Sequence, residues 1–70
     1  MKYLIILEET QTGFSAYSPD LPGCIATGKS VEETEFNMQG AVKFHLEGMR
    51  EDGMELPRPL SRVSYFEVTA

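Results

Sequence analysis

The segment Phe14-Ser-Ala-Tyr-Ser-Pro-Asp-Leu-Pro-Gly-Cys24 opens as a strand and then breaks into a corner. Phe14 and Ala16 alternate with Ser15 and Tyr17, the period-two pattern of a pleated strand. Ser18-Pro19-Asp20-Leu21-Pro22-Gly23 then sets two prolines and a glycine within six residues. The prolines fix φ, the glycine permits a left-handed turn, and Asp20 is able to accept from backbone N–H groups two residues on. Two readings of the corner stand. Either it only turns one strand into the next, or it holds Asp20 and Leu21 rigidly toward a partner at low entropic cost.

Upstream, Tyr3-Leu4-Ile5-Ile6-Leu7 is apolar without interruption, which predicts a strand covered on both faces and central in its sheet. Thr10-Gln11-Thr12-Gly13 reads as the hairpin connection to the strand at Phe14–Ser18. Downstream of the corner, Cys24-Ile25-Ala26-Thr27 is a short third strand closed by Gly28. Ser30-Val31-Glu32-Glu33 is a capping box, with Glu33 placed to reach back to Ser30, and its glutamates suit the positive end of a helix dipole. Val31, Met38, Val42, His45, Leu46 and Met49 then recur at helical spacing as one buried stripe. Gly53 suits helix termination, and Pro57 and Pro59 prevent resumption.

Arg62–Thr69 reads as a final strand, with Phe66 and Val68 on one face and Val63 and Tyr65 on the other. The order is β-β-β-α-β, an α+β domain with no linker or repeat. A right-handed crossover through the helix would return the last strand parallel to the first. The expected architecture is therefore a mixed four-stranded sheet of order 3-2-1-4 with the helix on one face.

Seventy residues make one domain, residues 1–70, with a marginal core. Cys24 is the only cysteine and His45 the only histidine, so no intrachain disulfide or Cys/His zinc spacing exists. Association is the remaining route to security, and a homodimer or higher homo-oligomer is expected. Six Lys plus Arg against eleven Asp plus Glu give a net charge of −5. That balance repels nucleic-acid phosphates and attracts a basic protein. The N-terminal apolar run is too short for a signal peptide or a membrane span, so a cytoplasmic protein without a membrane partner is expected.

On a helical wheel Phe36, Gly40 and Phe44 fall opposite the buried stripe. Two rings flanking a glycine suit a protein–protein contact, because the glycine lets another element approach closely. Isolated exposed aromatics are the plain alternative. Chemistry finds less support. His45 has no identifiable nucleophile or orienting acid, and Cys24 has no cause for a lowered pKa. The glutamates read as cap and solvated face rather than a two-metal cluster. No cofactor motif is present.

The run FSAYSPDLPGC, then Thr27-Gly28-Lys29-Ser30-Val31-Glu32-Glu33, the helix, and Leu56-Pro57-Arg58-Pro59 closely resemble the HicB antitoxin family. The resemblance implies a partial ribonuclease H-like fold without nuclease activity. It also implies the proteic antitoxin of a type II toxin–antitoxin pair, which binds and masks HicA, a small basic mRNA-cleaving toxin. Many members continue into a DNA-binding domain; this chain ends after the last strand, so direct DNA binding is not expected. The alternatives are a solitary homo-oligomeric module without a toxin, or a metal-dependent nuclease of ribonuclease H ancestry. The residues marked for a partner are Asp20, Leu21, Phe36, Gly40 and Phe44.

Overall fold

Three short strands and one long helix account for the regular structure of the protein, described for all residues 1–70 by a computed structural model. Strand β1 (Ile6–Glu9) pairs antiparallel with β2 (Phe14–Tyr17), which pairs antiparallel with β3 (Ile25–Gly28). The register sets Leu7 opposite Ala16 and Ala16 opposite Ala26, so these small apolar residues form one cross-strand row. That row faces helix α1 (Val31–Glu51), and Ala16 is fully buried beneath it. The neighbouring row, Ile6–Tyr17–Ile25, lies on the other face, which no element covers.

The expected fourth strand is absent. The sheet has three strands in order β1-β2-β3, and Met54–Ala70 contains neither helix nor strand. The order 3-2-1-4 is therefore incorrect for this chain, and β1 is an edge rather than a central strand. The reason lies in how the return segment is held. Tyr3 Oη donates to the Pro57 carbonyl at 2.6 Å, and Ser61 is bound by Asp20, so residues 57–61 cross the end of the sheet. Beyond Ser61 the chain leaves the body instead of turning along β1; Tyr65, Phe66 and Val68 are all more than four-fifths exposed.

The helix begins and ends as its sequence directs. Ser30 is extended at the N-cap, and its Oγ accepts the Glu33 N–H at 3.1 Å. Glu33 Oε1 accepts the Lys29 N–H at 3.1 Å, one residue earlier than the reciprocal contact with Ser30 expected of a capping box. At the other end Gly53, with φ of 71°, donates to Arg50 O, and Met54 donates to Met49 O. These two bonds form a Schellman termination. The buried face of the helix is centred on Thr34 and Met38, with Ala41, Val42 and Leu46 packed on the core; Val31 is exposed instead. Thr34 is tolerated there because its hydroxyl donates to Ser30 O at 2.7 Å, which leaves no unpaired polar atom.

Close approach of β3 to the helix depends on Gly28. A Cβ at that position would sit 2.5 Å from Thr34 Oγ1 and 2.7 Å from Thr34 N, closer than any packed contact allows. Gly28→Ala is therefore expected to lower unfolding stability by about 1–3 kcal/mol. Urea denaturation monitored by helical circular dichroism checks this; an unchanged midpoint would contradict the packing described.

Candidate protein-binding surface

The corner after β2 is two consecutive turns. Leu21 N–H donates to Ser18 O at 3.2 Å, and Cys24 N–H donates to Leu21 O at 3.1 Å. Pro19 and Pro22 occupy the second positions of these turns, where a φ fixed by the ring costs nothing further. Gly23 follows at φ 82°, the left-handed value that a type II turn requires of its third residue. Ser18 Oγ accepts the Asp20 N–H at 3.3 Å, which ties the first turn internally.

This geometry sends Leu21 inward. Its side chain is 1% exposed and packs with Ala16, Cys24 and Met38 as the centre of the core. Asp20 does not accept from residues two further on. Its carboxylate takes the Ser61 N–H at 3.1 Å and the Ser61 hydroxyl at 3.0 Å, clamping a segment 41 residues away. Of the five residues marked for a partner, Leu21 is thus unavailable at the surface and Asp20 is engaged within the chain. The corner acts here as a packing and anchoring device.

The other three share one surface. Phe36 is 75% and Phe44 79% exposed, and eight helical residues separate them by about 12 Å along the axis. Gly40 lies between, and a Cβ there would meet nothing within 4 Å, so the face is open at its midpoint. Phe44 also lines a groove of about 370 Å³ between the helix and β3, with Cys24, Ile25, His45 and Met49. Ile25, 61% exposed, continues the apolar surface onto the sheet. Sequence reasoning missed Ile25, although strand periodicity places it on the face opposite Cys24 and Ala26.

The groove brings Cys24 and His45 together as lining residues but does not make a nucleophile. Burial pushes the Cys24 thiol above its ordinary pKa, the opposite of what an attacking thiolate needs. No three His, Cys, Asp or Glu side chains gather in a way that could hold a metal ion. No helix is long and apolar enough to cross a membrane. What the surface offers is an apolar face, Phe36, Phe44 and Ile25, on an acidic body of net charge −5.

The comparisons define the class more closely. The family described as HicB_like antitoxin of bacterial toxin-antitoxin system matches residues 3–68, and the chain belongs to it. It is 41% identical over 58 residues to an "Uncharacterized 14.9 kDa protein in rep-hol intergenic region" of Haemophilus phage HP1, covering 83% of this chain and 44% of that protein. It thus spans less than half the length of the phage relative. It is 30% identical to "UPF0150 protein Ta0767" of Thermoplasma acidophilum, covering 83% of this chain and 86% of that one. Among solved structures it resembles a chain of the "HicA3 and HicB3 toxin-antitoxin complex", with TM-score 0.72 and 32% identity over 86% of this chain and 70% of that chain.

Two outcomes follow from the corner and the thiol. Leu21→Ala is expected to lower stability by about 2–5 kcal/mol. That is a large share of the roughly 4–10 kcal/mol available to a domain of this size, so a loss below 1 kcal/mol in urea denaturation would contradict Leu21's place at the centre of the core. For Cys24, the raised native pKa means the unfolded chain releases its proton first, so stability falls as pH rises above about 9. Cys24→Ala should flatten that part of the stability–pH curve; an identical alkaline slope in the two proteins would show that the thiol is not its source.

Proposed function

We propose that this protein is a non-catalytic antitoxin that binds and masks a basic, HicA-type mRNA-cleaving toxin. The observation that carries the proposal is the exposed Phe36–Gly40–Phe44 face, continuous through Phe44 with the groove beside β3. An apolar strip of this kind, interrupted by a glycine, lets a partner approach the helix closely while burying two rings. Aromatic anchors in such patches carry most of the binding energy of an interface. Membership of the antitoxin family and likeness to a chain from a toxin–antitoxin complex support the same reading.

Electrostatics would bring the partner in. With a net charge of −5 on 70 residues, the protein attracts a cationic surface and repels the RNA that the toxin would cut. Masking is then steric, by occupation of the toxin's RNA-facing surface, and it requires no bond to be made or broken by the antitoxin. Such a role needs no cofactor or metal, and it places the protein in the cytoplasm with its target.

In an RNA-cleavage assay, a HicA-type toxin mixed with this protein at equal molar amounts should lose its activity. Phe44→Glu should restore cleavage and weaken binding by at least tenfold, with the helical circular dichroism unchanged, because the ring is 79% exposed in the free protein. Association should also slow by tenfold or more between 0.05 and 0.5 M salt, a consequence of roughly threefold shortening of the screening length. Full protection by Phe44→Glu, or RNA consumption by this protein alone in Mg²⁺ or Mn²⁺, would overturn the proposal.

A further inference from the structure

Helix α1 carries five glutamates, Glu32, Glu33, Glu35, Glu47 and Glu51, against two cations, Lys43 and Arg50. All seven are exposed. Residues three or four apart share a helix face, and two of the glutamates fall beside the outward rings. Glu47 stands one turn after Phe44, and Glu32 stands one turn before Phe36. Glu33 also lies one turn before Phe36, but its carboxylate already accepts the Lys29 N–H at 3.1 Å. Each exposed ring therefore stands beside a solvent-facing carboxylate.

The remaining surroundings of Phe44 are bare. Its other helix neighbours at three and four residues are Gly40, Ala41 and Gly48, none with a side chain long enough to lean over the ring. A Cβ at Gly40 or Gly48 would meet nothing within 4 Å. Lys43 and Arg50 stand one turn on either side of Glu47, but exposed pairs of that kind are worth little and leave the carboxylate free to exchange partners. Ring and carboxylate together discriminate among incoming side chains. An apolar group would cover the rings yet strip water from the carboxylates without pairing them, which weakens binding. A lysine would meet the carboxylate as a strongly hydrated point charge. A guanidinium satisfies both, because its flat face stacks on the ring while its fork of N–H donors takes a carboxylate with two bonds.

We propose that Phe44 with Glu47, and Phe36 with Glu32, are two receptor sites for arginine side chains of a basic partner. The proposal rests on the reading of this strip as the toxin-facing surface, and it names the chemistry the strip selects, arginine over lysine. The two rings lie about 12 Å apart along the helix axis. They match two arginines about two turns apart on a partner helix, or about four residues apart on an extended segment. The net charge of −5 attracts either cation from a distance, so the choice between them is made at the rings. An RNA or an acidic protein is refused by the same carboxylates.

Titration of the full chain with two short peptides of equal length, one of arginine alternating with glycine and one of lysine alternating with glycine, tests this without any toxin. Binding is followed at low ionic strength by the amide resonances of α1. The arginine peptide is expected to bind about fivefold or more tightly than the lysine peptide, since stacking on an exposed ring contributes roughly two- to fivefold per site. The double variant Phe36→Leu, Phe44→Leu keeps the charge and most of the apolar bulk but removes both ring faces. Its preference for arginine should fall below about twofold, with lysine binding and helical circular dichroism little changed. Glu47→Gln should weaken the arginine peptide by about threefold or more. Equal affinity of the wild type for the two peptides, or no shift around residues 36 and 44 with either, would overturn the proposal. So would an arginine preference that survives the double variant, or arginine binding unchanged by Glu47→Gln. A toxin silenced by a protein that shows no such preference removes this inference and leaves masking in place; a preference lost in the double variant, with the toxin left active by the wild type, does the reverse.

Discussion

The fold depends on the pair of turns between β2 and β3, because they place two neighbouring residues in opposite duties. Leu21 drops into the core against Ala16, Cys24 and Met38, while Asp20 reaches across to hold Ser61. Only six residues of the chain are buried, so a single leucine packed among three other buried apolar side chains is a large part of what holds helix to sheet. The prolines and Gly23 reduce the number of conformations the corner gives up on folding, which matters most where the core is smallest. Rigidity here serves the body of the protein, and it also determines where the C-terminal segment departs.

Local signals were the legible ones. The strand pattern at Phe14–Tyr17, the Ser30 cap and the Gly53 stop each depend on residues within one or two turns of one another, and each appears in the structure. The errors concern contacts between distant residues. Arg62–Thr69 has the composition of a strand, but pairing needs an accessible neighbour, and the clamp at Ser61 carries the segment away from β1. Thr34 was overlooked as a core residue because its buried hydroxyl is acceptable only through its bond to Ser30 O. Leu21 was legible as constrained but not as inward-facing, since the direction of a turn's side chain depends on what packs beneath it.

The candidate surface divides in the same way. The helical wheel placed Phe36, Gly40 and Phe44 together on the outer face, and their exposure agrees with that placement. The groove beside β3 was not legible, because it forms where a helix and a strand far apart in sequence leave space between them. Phe44 joins the two features. The helix turns both aromatic rings outward, and their exposure adds nothing to the buried core of the free chain.

Oxidative side-chain footprinting of the protein, free and bound to a HicA-type toxin, tests the central claim most directly. If the protein acts by covering the toxin with its helix face, modification of Phe36, Phe44 and Met49 should fall several-fold on binding, while Tyr3 on the opposite edge keeps its reactivity. Unchanged modification of Phe36 and Phe44 in a complex whose toxin is silenced would contradict that claim.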